Sequence, residues 1–397
     1  MILLRQLFLP VLLFFLVVAQ WQQWLSLDLP LSTLIALSIS ASALALGVFF
    51  KASRIATAAI LLLALLVGME YSQWSPSGDE LRFWLALGAL NVALVSLTRD
   101  RSLFSLFGLA LLLLFVAQAT GGHYLLQGCC GDVLSAQWSP AAGLPLVDAL
   151  LGDMRLSDLL LWSSLLAAVL AVFWHRDQVS IGLLGAIALL VIAYIGGEGA
   201  LLLVTTAIGL LLILLVLRTA YDLAFLDELT GIPSRRAYSR YLLTLGSKYT
   251  IAVVDIDHFK KLNDTHGHQV GDQALRMVAA KIARYCGGRA FRYGGEEFVV
   301  VMRGANRERA EKALERMRKK IADYPMGIRA ANRPKKAGAK GRKNRGQGGG
   351  RKIHTTVSVG LAMSGAKTRT PEEVLEAADK ALYRAKRGGR NQVCAAS

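Results

Sequence analysis

Long apolar runs dominate the first 218 residues, and they leave few folds open. Eight recur, at about 6–25, 31–50, 55–71, 82–98, 102–119, 157–174, 179–195 and 199–217. Each is about 17–20 residues long, and a helix needs about 20 to cross the hydrocarbon core of a bilayer. A helix satisfies its backbone polar groups within one segment, so each run is expected to form a transmembrane helix. The first run is too long, and followed by too many like it, to be only a cleaved leader. Trp21 and Trp24 at its end suit a membrane interface.

The basic residues orient this layout. With the N-terminus cytoplasmic, Arg5, Lys51, Arg54, Arg99, Arg101, Arg176 and Arg218 fall on the cytoplasmic side. Only Arg82 and Arg155 fall outside. Such a bias is the usual mark of orientation, and eight spans return the chain to the cytoplasm at Arg218. Residues 1–218 hold 9 Lys/Arg and 11 Asp/Glu, and the remaining residues hold 36 and 17 of the chain's 45 and 28. A near-neutral apolar half is therefore joined to a strongly basic one, which suggests contact with nucleotide, nucleic acid or lipid headgroups.

The longest outer loop, about 120–156, is a candidate sensor surface. It holds adjacent Cys129 and Cys130, which an oxidising compartment would allow to pair with each other, to bridge subunits, or to hold a metal with His123. The other two cysteines, Cys286 and Cys394, are far apart in the basic half. No CxxC spacing points to zinc.

No Gly or Pro interrupts residues 210–230, so the last apolar helix is expected to run two or three turns beyond Arg218. Tyr221, Ala224, Phe225 and Leu229 form one apolar stripe along it. The stripe fits either pairing with the same helix of a second subunit or packing on its own domain. Thr230-Gly231-Ile232-Pro233 is the expected stop.

The basic half alternates short strands and amphipathic helices. YTIAVVDI, 249–256, is a buried strand ending at Asp255 and Ile256. A helix follows, with Ala274, Leu275, Val278, Ala279 and Ile282 on one face. GGRAFRYGGEEFVVVM is a β-hairpin turning at Gly294-Gly295. RERAEKALERMRKKIADY is a second helix, HTTVSVGLAM a strand, and PEEVLEAADKALYRAKRGGRN a third helix with Pro371 in its first turn. The order β-α-β-β-α-β-α predicts a ferredoxin-like antiparallel sheet with helices on one face. Such a sheet brings Asp255 beside Glu296 and Glu297. Clustered carboxylates repel one another unless something positive joins them, and Mg²⁺ prefers oxygen ligands and bridges to phosphates. The bland alternative is a solvated turn with two spare charges.

These segments resemble the GGDEF domain of diguanylate cyclases, enzymes that condense two GTP into cyclic di-GMP. The signature stands as GGEEF, Gly294 to Phe298; DELTGIPSRRAY from Asp227, VDIDHFKKLNDTHGHQVGDQAL from Val254, TVSVGLA around Val357 and ADKALYRAKRGGRN from Ala378 match other family segments. The likeness covers about residues 224–396. It implies that Asp255, the Ile256 carbonyl and Glu296 bind Mg²⁺, with Mn²⁺ as a possible substitute. Glu296 would also take the proton of the attacking 3′-hydroxyl, with Glu297 assisting. Asn263 and Asp272 would recognise guanine, His268 would contact the nucleotide, and Lys260, Lys386 and Arg390 would hold the triphosphate. Asp272 accords with this chemistry, because a carboxylate accepts two hydrogen bonds from the N1–H and N2–H₂ of guanine. The product needs two facing domains, so a homodimer is implied. The expected fold is thus an all-α membrane domain (1–218) of about eight transmembrane helices, a signalling helix (219–230), and an α+β ferredoxin-like GGDEF domain (224–397). The expected location is a bacterial inner membrane with both termini cytoplasmic.

Two features depart from the family pattern. Many relatives carry an inhibitory RxxD motif where this chain has Tyr285-Cys286-Gly287-Gly288, so that mode of product feedback is expected to be absent. The stretch 331–352 holds nine Lys/Arg and no acid, and its Gly and Lys content predicts flexible chain. It is either a solvated loop or a contact for anionic lipid. Without an aromatic to stack bases, no specific nucleic-acid binding is expected. The alternative to an active cyclase is a silent domain that binds GTP or cyclic di-GMP as a receptor; the intact acids and the missing RxxD favour the enzyme.

Overall fold

The computed structural model describes residues 2–24, 32–71, 78–100, 102–127, 155–304, 306–327, 352–365 and 370–396. The chain divides into two units, Met1–Ala220 and Tyr221–Ser397. Cys129, Cys130 and nearly all of 331–352 lie outside the described residues.

Each of the eight apolar runs forms a helix: α1 (Ile2–Trp21), α2 (Thr33–Phe49), α3 (Ser53–Tyr71), α4 (Gly78–Leu97), α5 (Leu106–Gln127), α6 (Leu156–His175), α7 (Gln178–Gly196) and α8 (Glu198–Phe225). Six of them, α3 to α8, are long and apolar enough to cross a membrane among the described residues. The apolar stretches of α1 and α2, Leu7–Trp21 and Thr33–Phe49, are shorter.

Charged residues of this unit cluster at helix ends. Arg54, 5% exposed near the start of α3, donates through Nε and Nη2 to Asp100 Oδ2 at 3.0 and 2.9 Å. Its Nη2 also reaches Asp177, the N-cap of α7, at 2.5 Å. This joins the beginning of α3 and α7 to the end of α4. At the opposite helix ends Arg155, before α6, pairs with Asp79 at the start of α4, and Tyr194 near the end of α7 donates to Asp158 at 2.5 Å. Helices are thus tied at both edges, with the polar ties outside the apolar middle.

The last helix runs about two turns past Arg218, within the expected reach, but the structure corrects where it stops. The helix stops at Phe225, not near Thr230. The cause is Asp227, whose Oδ1 accepts from the Thr230 backbone N–H at 2.9 Å and the Thr230 hydroxyl at 2.6 Å. A short acidic side chain that captures local donors competes with helix continuation. Gly231, at φ +70, and the Leu226–Pro233 bridge complete the turn. Arg292 locks Asp227 from the far side, Nη1 lying 2.8 and 3.0 Å from the two carboxylate oxygens. Leu229 therefore leaves the stripe and packs on the core of its own domain, and Phe225 lies under the Arg240 guanidinium. Tyr221 and Leu223 remain exposed.

The second unit continues with α9 (Arg235–Leu242), β1 (Tyr249–Ile256), α10 (Phe259–His266), α11 (His268–Tyr285), β2 (Arg289–Arg292), β3 (Glu297–Arg303), α12 (Arg307–Ala322), β4 (Met326–Gly327), β5 (Lys352–Ile353), β6 (Val357–Met363), α13 (Pro371–Arg387) and β7 (Val393–Ala395). The main sheet has the order β2-β3-β1-β6-β7, antiparallel except for β6–β7. Its first four strands have the ferredoxin-like arrangement. The expectation of helices on one face alone is overturned. Ala252, Val254 and Ile256 pack with α11 and α12, whereas Ile251 and Val253 pack with Tyr238 of α9 and Val374, Ala378 and Leu382 of α13. β1 is buried along its whole length, so both faces need cover. The short β4–β5 pair closes the base of the hairpin that carries the basic stretch.

Helix α13 opens with Pro371 and a reciprocal cap between Thr370 and Glu373. It crosses β6 closely at Gly360, where a Cβ would stand 2.1 Å from both Ala378 O and Leu382 N. Gly360→Val should destabilise the protein by about 3 kcal/mol or more, read as a fall in the thermal unfolding midpoint. Asp227→Asn should cost about 1–3 kcal/mol at neutral pH by removing the charge that pairs with Arg292 and one of its two acceptor oxygens. Its hydrogen bonds with Thr230 and Arg292 hold the Asp227 carboxyl below the usual range against the opposing effect of burial. Its stabilisation is therefore complete above the unfolded carboxylate value near about 4 and lost as pH falls through the lower folded value. The stability gap between wild type and Asp227→Asn should be flat at neutral pH and close below about pH 4.

Candidate active site

On β1 the alternation of side chains sends Ile251, Val253 and Asp255 toward α13. Asp255 is only 4% exposed, and its Oδ2 lies 2.9 Å from Lys386 Nζ near the end of α13. Across the β1–β3 pair its register partner is Glu297. Glu296 precedes β3 in the turn. Burial pushes the Asp255 carboxyl upward, Asp257 adding to the shift, while Lys386 and Arg390 oppose it. Glu296 is raised in the same way, by burial first, then by the charges of Asp255 and Glu297. The structure thus gathers Asp255, Glu296, Glu297, Lys386 and Arg390 into one electrostatic cluster.

The hairpin loop is four residues, Tyr293 to Glu296, closed by the Tyr293 and Gly294 N–H groups donating to Glu297 O at 2.9 and 3.2 Å. Arg292 Nη2 donates to Gly295 O at 2.8 Å, so one guanidinium holds both Asp227 and the signature loop. A Cβ on Gly295 would meet no protein atom within 4 Å. The fold itself therefore does not demand glycine there.

A second group sits on α10 and α11, which are separated by Gly267 at φ +83. Lys260 and His268 are exposed. Asn263 faces the start of α11 so closely that a Cβ on Gly271 would fall 1.8 Å from its Oδ1. That places Asn263 beside Asp272, the next residue. Asn263 Oδ1 is buried with no hydrogen-bond partner among the described residues. Such an atom is costly to leave unpaired.

Asp257 carries more of the site than the sequence suggests. Its Oδ2 accepts from Thr356 Oγ1 at 2.7 Å and from the Asn391 backbone N–H at 3.1 Å, and its Oδ1 accepts from Ser358 Oγ at 2.6 Å. It fixes the turn holding Arg390 and Asn391, both at positive φ. The only sequence signal was a second acid two positions after Asp255, on the same side of an extended chain. Arg292 was likewise missed, though it lies inside the signature segment.

In the window expected to lack an inhibitory motif, Cys286 points into the core while Gly287 and Gly288 are exposed. Cys286 is fully buried, and burial raises its thiol pKa. A Cβ on Gly288 would lie 2.5 Å from Val301 O, so no acidic side chain fits without displacing β3.

Over residues 224–341 and 329–392 the chain matches the family described as diguanylate cyclase, GGDEF domain. It is 35% identical over 183 residues to the response regulator PleD of Caulobacter vibrioides, covering 43% of this chain and 36% of that protein. It is 36% identical over 180 residues to the diguanylate cyclase DgcP of Pseudomonas aeruginosa, covering 43% and 24%. The chain thus spans well under half the length of these relatives. The solved coiled coil and GGDEF domain of DgcB from Caulobacter crescentus, in complex with c-di-GMP, is 32% identical, with a TM-score of 0.40 over 46% of this chain and 92% of that one. The C-terminal unit is a GGDEF domain of the diguanylate cyclase family, preceded by a helical region with six candidate membrane spans.

Proposed function

We propose that the protein is a membrane-bound diguanylate cyclase that condenses two GTP into cyclic di-GMP and two pyrophosphates. The observation that carries this reading is Asp255, a buried carboxylate beside two further acids with Lys386 as its close cation. Buried oxygen donors of like charge suit a hard divalent cation held together with substrate phosphates. Mg²⁺, or Mn²⁺, held by Asp255, the Ile256 carbonyl and Glu296 would acidify the attacking ribose 3′-hydroxyl and neutralise charge on the transferring phosphoryl group. That donor set has two carboxylates, fewer than the three His, Cys, Asp or Glu side chains of a self-sufficient metal cluster, of which none is found among the described residues.

The remaining roles follow from chemistry and place. Glu296, held above the usual carboxylate range, is the better proton acceptor for the 3′-hydroxyl. Glu297 keeps the cluster negative. Lys386 exchanges Asp255 for the triphosphate, with Arg390 and Lys260 completing its charge balance. Asn263 and Asp272 read guanine, the buried Asn263 Oδ1 finding its missing donor there, and His268 lies beside the base. The open side of Gly295 admits the nucleotide against the backbone. Each domain holds one GTP, so the reaction runs in a homodimer whose geometry the membrane region sets. All eight apolar helices span the bilayer, both termini face the cytoplasm, and the basic stretch 331–352 touches anionic lipid.

Full-length protein in membranes should form cyclic di-GMP from GTP and Mg²⁺, and Asp255→Ala or Glu296→Ala should lower the rate at least about 10²-fold. Bound GTP with no product from wild type would instead establish the receptor reading. Gly271→Ala should push Asn263 aside and raise the KM for GTP about tenfold, with kcat less affected. With no acid able to stand at position 288, added cyclic di-GMP should leave the initial rate unchanged; inhibition at micromolar product would refute that part.

A further inference from the structure

The helical unit contains a cavity of about 870 Å³ between α3, α4 and α5, with α7 and α8 contributing Ala186 and Ile208. That size suits a small lipophilic ligand. Its walls run from Ala58 to Gly68 on α3 and from Leu112 to His123 on α5, about 15 Å along each helix at 1.5 Å per residue. The lining is almost wholly apolar. Its polar-bearing side chains are Trp84, His123 and Asn91 of α4; Asn91 is 5% exposed, and its Oδ1 is buried with no hydrogen-bond partner among the described residues. Between apolar helices no water-filled exterior supplies the missing donor, so the orphan is expensive.

Small residues create the space. A Cβ built on Gly68 or Gly88, both lining the cavity, would meet nothing within 4 Å. At Gly182, by contrast, a Cβ would lie 2.2 Å from Leu215 Cδ1, so there glycine serves a close contact. No helix contact requires glycine at 68 or 88, so both leave room for an occupant.

We propose that this cavity binds a long-chain amphiphile whose hydroxyl group hydrogen-bonds Asn91 while its alkyl body lies along α3 and α5. A hydroxyl fits because it donates to the amide oxygen and, being uncharged, enters an apolar bundle at small desolvation cost. The proposal rests on the membrane reading of this unit and not on cyclase chemistry. Its test reads binding without nucleotide, so failure of one does not disguise failure of the other.

The probes are 8-bromo-1-octanol and 1-bromooctane, added to the full-length protein in lipid nanodiscs while tryptophan fluorescence is followed. Bromine quenches on contact, and Trp84 lines the cavity seven residues before Asn91, about 10 Å along α4. The expected result is saturable quenching by the alcohol above a linear background from bilayer partitioning, absent in Trp84→Phe. Asn91→Leu should weaken the saturable phase about tenfold. Gly88→Leu should abolish it, because the new side chain enters open space without a clash. The bromoalkane should bind the wild type about tenfold more weakly than the alcohol. Purely linear quenching of the wild type, or equal affinity for the two probes, would overturn the proposal whatever the variants do. Saturation that survives Gly88→Leu would place the binding elsewhere and overturn it equally.

Discussion

The C-terminal unit depends on one constraint, that β1 is buried on both faces. A strand so enclosed cannot end in a carboxylate without compensation, since an unpaired buried charge costs several kcal/mol. Asp255 meets that demand with Lys386 at 2.9 Å. The pairing follows from strand alternation, because Ile251, Val253 and Asp255 share the face on which α13 packs. The contact that buries the hydrophobic side of α13 thus also delivers an ammonium group from its last turn to the site. Gly360 makes the delivery possible by letting α13 sit directly on the backbone of β6. Packing and charge balance are one interaction here.

Asp257 extends the same logic one pleat further. It spends its acceptor capacity on Thr356, Ser358 and the Asn391 N–H, joining the end of β1 to β6 and to the turn after α13. Arg390 and Asn391 stand at φ 64 and 46, a region that costs a non-glycine residue about 1 kcal/mol or more. Such a turn persists only when its surroundings over-determine it, and a buried carboxylate accepting the Asn391 N–H does that. Arg390 is thereby held in the turn near enough for its charge to act on Asp255. Of the two acids in Asp255-Ile256-Asp257, one is fully satisfied within the protein and the other is not. That asymmetry separates the scaffold from the chemistry.

Much of this was legible in the sequence, and the failures are instructive. β1, α11, α12, β6 and α13 show in their periodicity, and the meeting of Asp255 with Glu297 follows from pairing the two strands. YTIAVVDI is apolar at both parities, which marks burial on two faces, yet the ferredoxin-like order suggested cover on one. Missing that hid the reason Lys386 reaches Asp255. The end of α8 escaped because Gly231 and Pro233 are conspicuous breakers, whereas Asp227 acts earlier through its side chain and through Arg292, 65 residues away. Asp257 was invisible as a junction because its partners lie 99 to 134 residues distant. Local patterns reveal elements; a polar residue's distant partners appear only when the chain is folded.

The helical unit obeys a complementary rule. Its charges are confined to helix ends, where Arg54 joins Asp100 and Asp177 at one edge and Arg155 joins Asp79 at the other. The sequence reading put Arg54 and Arg155 on opposite sides, and their ion pairs stand at opposite ends of α4. With the ends tied, the middle is free to vary in packing. At Gly182 and Gly209 neighbouring side chains press within 3 Å of a would-be Cβ, so small residues draw helices together. At Gly68 and Gly88 nothing opposes them, and Asn91 stands beside the gap with an unmatched oxygen. Arg54 joins the start of α3 to Asp100 just beyond α4, so the two helices stay linked at that edge while the middle leaves a gap. The polar ties at the ends and the cavity in the middle are therefore parts of one arrangement.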